Sequence, residues 1–135
     1  MHWSNDYIGT PIKALGSTRE GVDCWGLVVL VYREVFGLSV PAHRDHLMAA
    51  HRGGVPAIGG DIEAMWEPTD QPKDGDVLHM WAIRDGVKLP NHCGLVAGDP
   101  ARILHAQERV GAVVVDLRAR ANAWRPIQFY RRRGT

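Results

Sequence analysis

The chain has 135 residues, 45% of them hydrophobic, and a formal net charge of +1. That is enough apolar chain for one domain with a real core, and too little charge for a global field that would draw nucleic acid or a membrane surface. The longest apolar run, Leu27 to Tyr32, is far too short to span a bilayer. The start "MHWSNDYIG" has neither the basic residues nor the apolar stretch of a secretory signal, and two cysteines do not make a disulfide framework. The expectation is a single domain over residues 1–135, made in the cytoplasm, with no membrane insertion and no nucleic-acid partner.

The first 20 residues carry Gly9, Pro11, Gly16 and Ser17 and read as an arm with at most a short helical turn. A core helix is predicted over 23–37, with Asp23 as its N-cap and Gly37 as its stop. Leu27, Val28, Leu30, Val31 and Val35 cover more than one face, the pattern of a buried helix, and Arg33 and Glu34 mark the end that reaches water. "PAHRDHLMAAHR" reads as a second, more exposed helix, "GGVPAIGG" as a break, "DIEAMWE" as a short third helix and "PTDQPKDGD" as a loop. The period then changes. "VLHMWAI", "HCGLVAG", "RILHAQE", "AVVVDLR" and "IQFYRR" read as about five strands, separated by "DGVKLPN", "GDPA", "RVG" and "RANAWRP". This is an antiparallel meander over 76–132. Helices first and strands afterwards predict an α+β fold, with the buried helix packed on one face of the sheet.

Cys24 stands at the first turn of the core helix, directly behind Asp23. A helix N-terminus carries partial positive charge and unpaired N–H donors, which favour a thiolate and could hold an oxyanion. Gly26 would leave room for a substrate to approach the backbone. The plainer reading of Cys24 is a small buried hydrophobe. A thiolate nucleophile needs a base. His92 opens a strand, with Gly94 on the same face to leave its ring open, and His105 lies on the next strand, one tight turn later. A hairpin can bring the two rings together, one facing Cys24 and one orienting the first. The plainer reading is a pair of hydrogen-bonded sheet histidines.

Three blocks, "GSTREGVDCWGLVVLVYREVFGLSVP", "PKDGDVL" and "NHCGLVAGDPARILHA", in this order resemble the NlpC family of cell-wall cysteine peptidases. The resemblance implies a papain-like fold with the cysteine on the helix and the histidine on the sheet. It implies Cys24 as nucleophile, His92 as general base and His105 as the polar third member that orients the base. Asp23 matches an acidic residue that helps to hold a substrate amine, and Trp25 would form either a wall of the cleft or a core anchor. The implied substrate is a peptidoglycan stem peptide, cut at the amide between γ-D-glutamate and a diamino acid, with no metal or cofactor. "DCWGLV" and "NHCGL…ILHA" look most like the phage-tail, prophage and gene-transfer-agent branch, which implies other particle proteins as partners and a place on a virion or particle tail acting on the periplasmic wall. A structural tail-tip component acting mainly by docking is the alternative. Two positions depart from the family: Trp25 stands where many members have serine, and Ile12 where many have a tyrosine close to the nucleophile. The oxyanion would then lean on backbone N–H groups, that of Cys24 included, with Tyr7 as another source of a hydroxyl.

Cys93 follows His92 and so points to the opposite face, as a buried core residue; pairing with Cys24 would require the two to share a face. His43, His46 and His51 read as solvated helix histidines rather than a metal site, and His79 as an ordinary strand histidine. Trp3 reads as a docking residue for a partner, "RRRGT" as a solvated end, and the turn-rich "RDGVKLP" as a gating loop before His92.

Overall fold

A computed structural model describes residues 1–42 and 65–134. The arm holds a 3-10 turn at Trp3–Asp6 and ends in a small hairpin, β1 (Ser17–Thr18) with β2 (Gly21–Val22). Helix α1 (Cys24–Val35) follows, then β3 (Trp66–Thr69), β4 (Val77–Arg84), β5 (Val87–Ala97), β6 (Asp99–Gln107), β7 (Gly111–Asp116) and β8 (Arg125–Arg132). The second predicted helix, with His43, His46 and His51, lies outside the described residues. Among the described residues no helix is long and apolar enough to cross a membrane.

Helix α1 begins and ends where the residue types demand. Asp23 is in an extended conformation and its carboxylate accepts the Gly26 N–H at 2.6 Å, which satisfies one of the unpaired donors of the first turn. Gly37 turns the chain at φ +67, a conformation that costs glycine nothing. Every residue from Trp25 to Tyr32 is buried. The sheet covers one side, and the arm covers another: Tyr7 is 2% exposed, and its hydroxyl and the Arg19 guanidinium both donate to Glu34 at 2.9 Å. Trp3 belongs to this internal layer. Its indole N–H donates to Asp74 at 2.9 Å and its ring packs edge-on against Tyr7 and Phe36.

Six antiparallel strands form the main sheet in the order β3-β8-β4-β5-β6-β7. The fold is α+β, with α1 packed on β5 and β6. The meander runs through β4 to β7 only. β8 then crosses back to pair with β4, and β3 pairs with β8 as the outer strand. The end of "DIEAMWE" is thus strand, not helix. Pro68, which has no N–H to donate, is tolerated there because β3 is an edge. β8 also takes in the first two arginines of "RRRGT". Arg131 pairs with the buried Asp76 at 2.9 Å and Arg133 with Glu67 at 3.2 Å, so this end is fastened to the sheet rather than solvated.

The segment "DGVKLPN" is not a loop. Only Asp85 and Gly86 turn, both with positive φ, which makes a two-residue hairpin whose twist matches its strands. β5 resumes at Val87, opposite Arg84. The proposed gating loop is therefore the tip of a hairpin. Its irregularity comes later: Met80 pairs with His92 and Ala82 with Leu89, so Pro90 and Asn91 together oppose Trp81. This bulge lies immediately before His92, and bulges of this kind re-aim the side chains that follow them. Both sheet faces carry core. The helix side holds Val77, Cys93, Leu95, Leu104 and Tyr130. The far side holds Leu78, Met80, Val96, Ile103 and Trp124, with Leu117 packed against them.

Candidate active site

The site forms where the first turn of α1 meets β5. Cys24 is half-buried there, its neighbour Asp23 committed to the helix cap. The Cys24 thiol is held well below the ordinary thiol range. A hydrogen bond from the Cys93 thiol is the largest cause; burial opposes it, while a hydrogen bond from the His92 ring, its positive charge and the Cys93 backbone N–H reinforce it.

His92 is half-buried and fixed from two sides. Its Nε2 lies 2.9 Å from Nδ1 of His105, the two rings edge-on, and its ring stacks on Trp124 with centroids 4.3 Å apart. With Nε2 engaged, Nδ1 is the nitrogen left for the Cys24 sulfur. If His92 donates through Nε2–H, His105 accepts at Nδ1 and keeps its own proton on Nε2. His105 is fully buried on β6.

Gly94 explains how the pair can form. The β5–β6 register places Leu95 opposite Leu104, hence Gly94 opposite His105 and His92 on the diagonal. A Cβ at Gly94 would stand 2.5 Å from Ile103 Cγ2, 2.8 Å from the Leu104 carbonyl oxygen and 3.1 Å from His105 Cβ. Only a residue without a side chain lets the two strands close over the histidines.

Three expected placements change. The space above Gly26 is not open to a substrate, because a Cβ there would lie 1.6 Å from the Gly16 carbonyl oxygen; the glycine admits the β1–β2 hairpin. Trp25 is 0% exposed, donates to the Pro41 carbonyl at 2.7 Å and packs edge-on against Trp66. One residue past Cys24 on a helix is a rotation of about 100°, which carries the indole into the core and away from the cleft. Tyr7 bonds Glu34, ten residues along α1 from Cys24 and so about 15 Å away, and burial first, then Glu34, pushes its hydroxyl up to about 12. It supplies nothing to the thiol. Ile12 is 39% exposed and bridges Val22, two residues before Cys24.

Sequence reasoning missed two partners. Trp124 arrives from the segment before β8, after a turn-rich stretch that carries no local sign of its contact with His92. Cys93 was assigned to the core, where it is, but the core face of β5 at this point is also the face under Cys24. His79 is 1% exposed and pairs with Cys93 across β4 and β5. Among the described residues no three histidine, cysteine or acidic side chains converge to hold a metal.

A thiol on a helix N-terminus, set against a histidine on the sheet that a second polar group orients, defines a papain-like cysteine peptidase. The model of the NlpC/P60 family matches residues 9–132, and the chain belongs to that family of cell-wall peptidases. Among solved structures it is similar to the NlpC/p60 domain of the peptidoglycan hydrolase SagA, with 23% identity and a TM-score of 0.58, covering 93% of this chain and 90% of that one. It is also similar to a lipoprotein-like NLP/P60 protein of Staphylococcus aureus (20% identity, TM-score 0.56) and an NlpC/P60 protein of Bacillus cereus (18%, 0.54). It covers 87% and 91% of its own length in these two, and only 34% and 36% of theirs. These likenesses speak for the fold. Comparison with the curated proteins finds no match.

Proposed function

We propose that this domain cleaves peptidoglycan stem peptides at the amide between γ-D-glutamate and a diamino acid, with Cys24 as nucleophile, His92 as acid and base, and His105 as the residue that orients His92. The Cys24 thiolate attacks the amide carbon, and the carbonyl oxygen gains negative charge against the Cys24 N–H at the start of α1. Imidazolium His92 passes its Nδ1 proton to the leaving amine as the C–N bond breaks. Water then attacks the thioester, His92 takes its proton, and the acid leaves with Cys24 restored. Asp23, half-exposed beside the nucleophile, is the residue assigned to a substrate amine.

The observation that carries this reading is a His92 ring tied through Nε2 to His105 at 2.9 Å and numbered among the groups that hold the Cys24 thiol below its ordinary range. The wording of the "DCWGLV" and "NHCGL…ILHA" blocks supports delivery on a phage tail or gene-transfer-agent particle, among other particle proteins. Tethering to a particle supplies the local concentration that a wall-binding module would otherwise give. Digestion of purified muropeptides, with products identified by mass, tests the chemistry. The expected result is cleavage at the named bond, abolished in Cys24→Ala. Absence of cleavage, or cleavage that survives Cys24→Ala, overturns the reading and favours a docking component.

A further inference from the structure

Trp124 holds the His92 ring, yet it arrives on a segment with no ladder of its own. Residues 117–124 join β7 to β8 without regular secondary structure, and Ala121 and Ala123 are exposed. Trp124 is nonetheless buried, and its ring stacks on His92 with centroids 4.3 Å apart and 19° between the planes. It stands edge-on to His105, with centroids 5.5 Å apart. The hold on its backbone comes from Asn122. Asn122 Oδ1 accepts the Trp124 N–H at 3.2 Å, and Nδ2 donates to the Trp124 carbonyl at 2.9 Å. One side-chain amide thus meets both backbone groups of one residue, as a paired strand would. The Arg125 guanidinium closes the clasp, its Nη1 donating to the carbonyls of Asn122 at 3.0 Å and Trp124 at 3.1 Å. The Asn122 N–H donates to the Ala119 carbonyl at 3.0 Å, and the Ala119 N–H to Asp116, the last residue of β7. A chain of bonds therefore runs from the sheet to Asn122, and from Asn122 to the indole.

We propose that Asn122 is a positioning residue for the reaction: by fixing the backbone of Trp124 it sets the plane of the His92 ring and so keeps that ring on its bond to His105. The proposal rests on the reading of His92 as the acid and base. The residue type follows from what the position has to do. Trp124 offers an N–H and a carbonyl side by side, so the partner must present one acceptor and one donor at a single reach. Aspartate has acceptors only, serine has one oxygen for two groups, and glutamine carries the same amide one methylene too far. The indole passes the placement on with little loss, since only two side-chain torsions separate its rigid face from the backbone. His92 is then held by a ring on one side and by a hydrogen bond of 2.9 Å at Nε2. A catalytic group displaced by about 1 Å costs about 10²-fold in rate, so an exposed loop without its clasp would be felt at the imidazole.

The test reads the stack directly and then the rate. A proton held against an indole face resonates upfield of its free position, so the His92 ring protons carry a signature in the NMR spectrum of the full chain. They are assigned by their absence from the spectrum of His92→Ala. In Asn122→Ala the expected result is that these two resonances move back toward their free positions while those of the other histidines stay in place. A role confined to the stability of the loop would leave the His92 protons of the folded protein where they were. On the same preparation, kcat for muropeptide cleavage falls by roughly 10- to 10²-fold with KM nearly unchanged. Asn122→Ser, which keeps one polar atom for two partners, moves the same resonances in the same direction and decides the matter if the alanine variant does not fold. The inference is overturned if the native His92 protons are not shifted upfield, if they stay shifted in the folded Asn122 variants, or if they move while kcat remains native. The spectrum does not depend on cleavage: a native chain that cuts no muropeptide, but whose His92 protons respond to Asn122, sinks the peptidase reading and leaves the placement of the ring standing.

Discussion

Replacing Gly94 by alanine puts a methyl group into the seam between β5 and β6. Of its three close neighbours, Ile103 Cγ2 at 2.5 Å belongs to a fully buried side chain, and the Leu104 carbonyl at 2.8 Å is backbone. Ordinary contact begins near 3.4 Å, so the carbonyl must retreat by about 0.6 Å and the strands must part locally. Overpacking of this kind costs about 1–3 kcal/mol. The same movement carries His105 away from His92, and a bond of 2.9 Å lengthened by that amount reaches the limit of a useful hydrogen bond. The expected result is a modest fall in the urea midpoint, with kcat for muropeptide cleavage lowered by about 10²-fold and KM nearly unchanged, as for a misplaced catalytic group. Denaturant melts and steady-state kinetics on one preparation measure both. A Gly94→Ala protein with native kcat and native stability would refute the claim that this glycine holds the histidines together.

Alkylation of Cys24 by iodoacetamide, followed against pH, should persist well below the pH at which a free thiol goes silent. The thiolate is present above the depressed pKa and is lost as pH falls through it. Cys93→Ala removes the largest stabilising contact and His92→Ala the next, so each should move that loss to higher pH; profiles that coincide with the native one would show that neither residue holds the thiolate. Asp23→Ala should lower stability by about 1 kcal/mol through loss of the cap, while Asp23→Asn should retain most of it, as read by thermal melts. Trp124→Ala should destabilise by about 3–5 kcal/mol and release the His92 ring, whereas Trp124→Phe should keep a stacking face and most of the activity. Equal losses in the two Trp124 variants would mean that stacking does not position His92.

What could be read from the chain was local. The carboxylate of Asp23 and the permissive backbone of Gly37 mark the ends of α1 by chemistry contained within a few residues, and two histidines at facing strand ends were bound to approach if β5 and β6 formed a hairpin. What could not be read depended on distant chain. "VLHMWAI" looks like an alternating strand with one wet face, but all of Val77 to Ala82 except Trp81 is buried, because residues 117–124 cover the far side. "DGVKLPN" has the composition of a loop, yet Asp85 and Gly86 alone make the turn and Pro90 sits in a bulge, where a missing N–H costs little. Trp66 had helical neighbours in sequence and a strand partner 66 residues away, at Arg132. Gly26 carried a clear signal of close approach, but only the fold says that the approaching group is the Gly16 carbonyl.

Helix α1 is pinned along its axis as well as across it. At one end the Gly16 carbonyl presses on Gly26; at the other, Ser17 accepts from Arg33 at 2.7 Å, and Tyr7 and Arg19 hold Glu34. The arm therefore acts as a gauge block between the two ends. Sheet contacts alone would let a smooth, apolar rod slide, and a slide of one residue is about 1.5 Å, enough to part a thiol from an imidazole. The reach of the Cys24 thiol toward β5 is thus measured off by polar contacts at the far end of the rod, where the surface residues Arg19 and Glu34 meet.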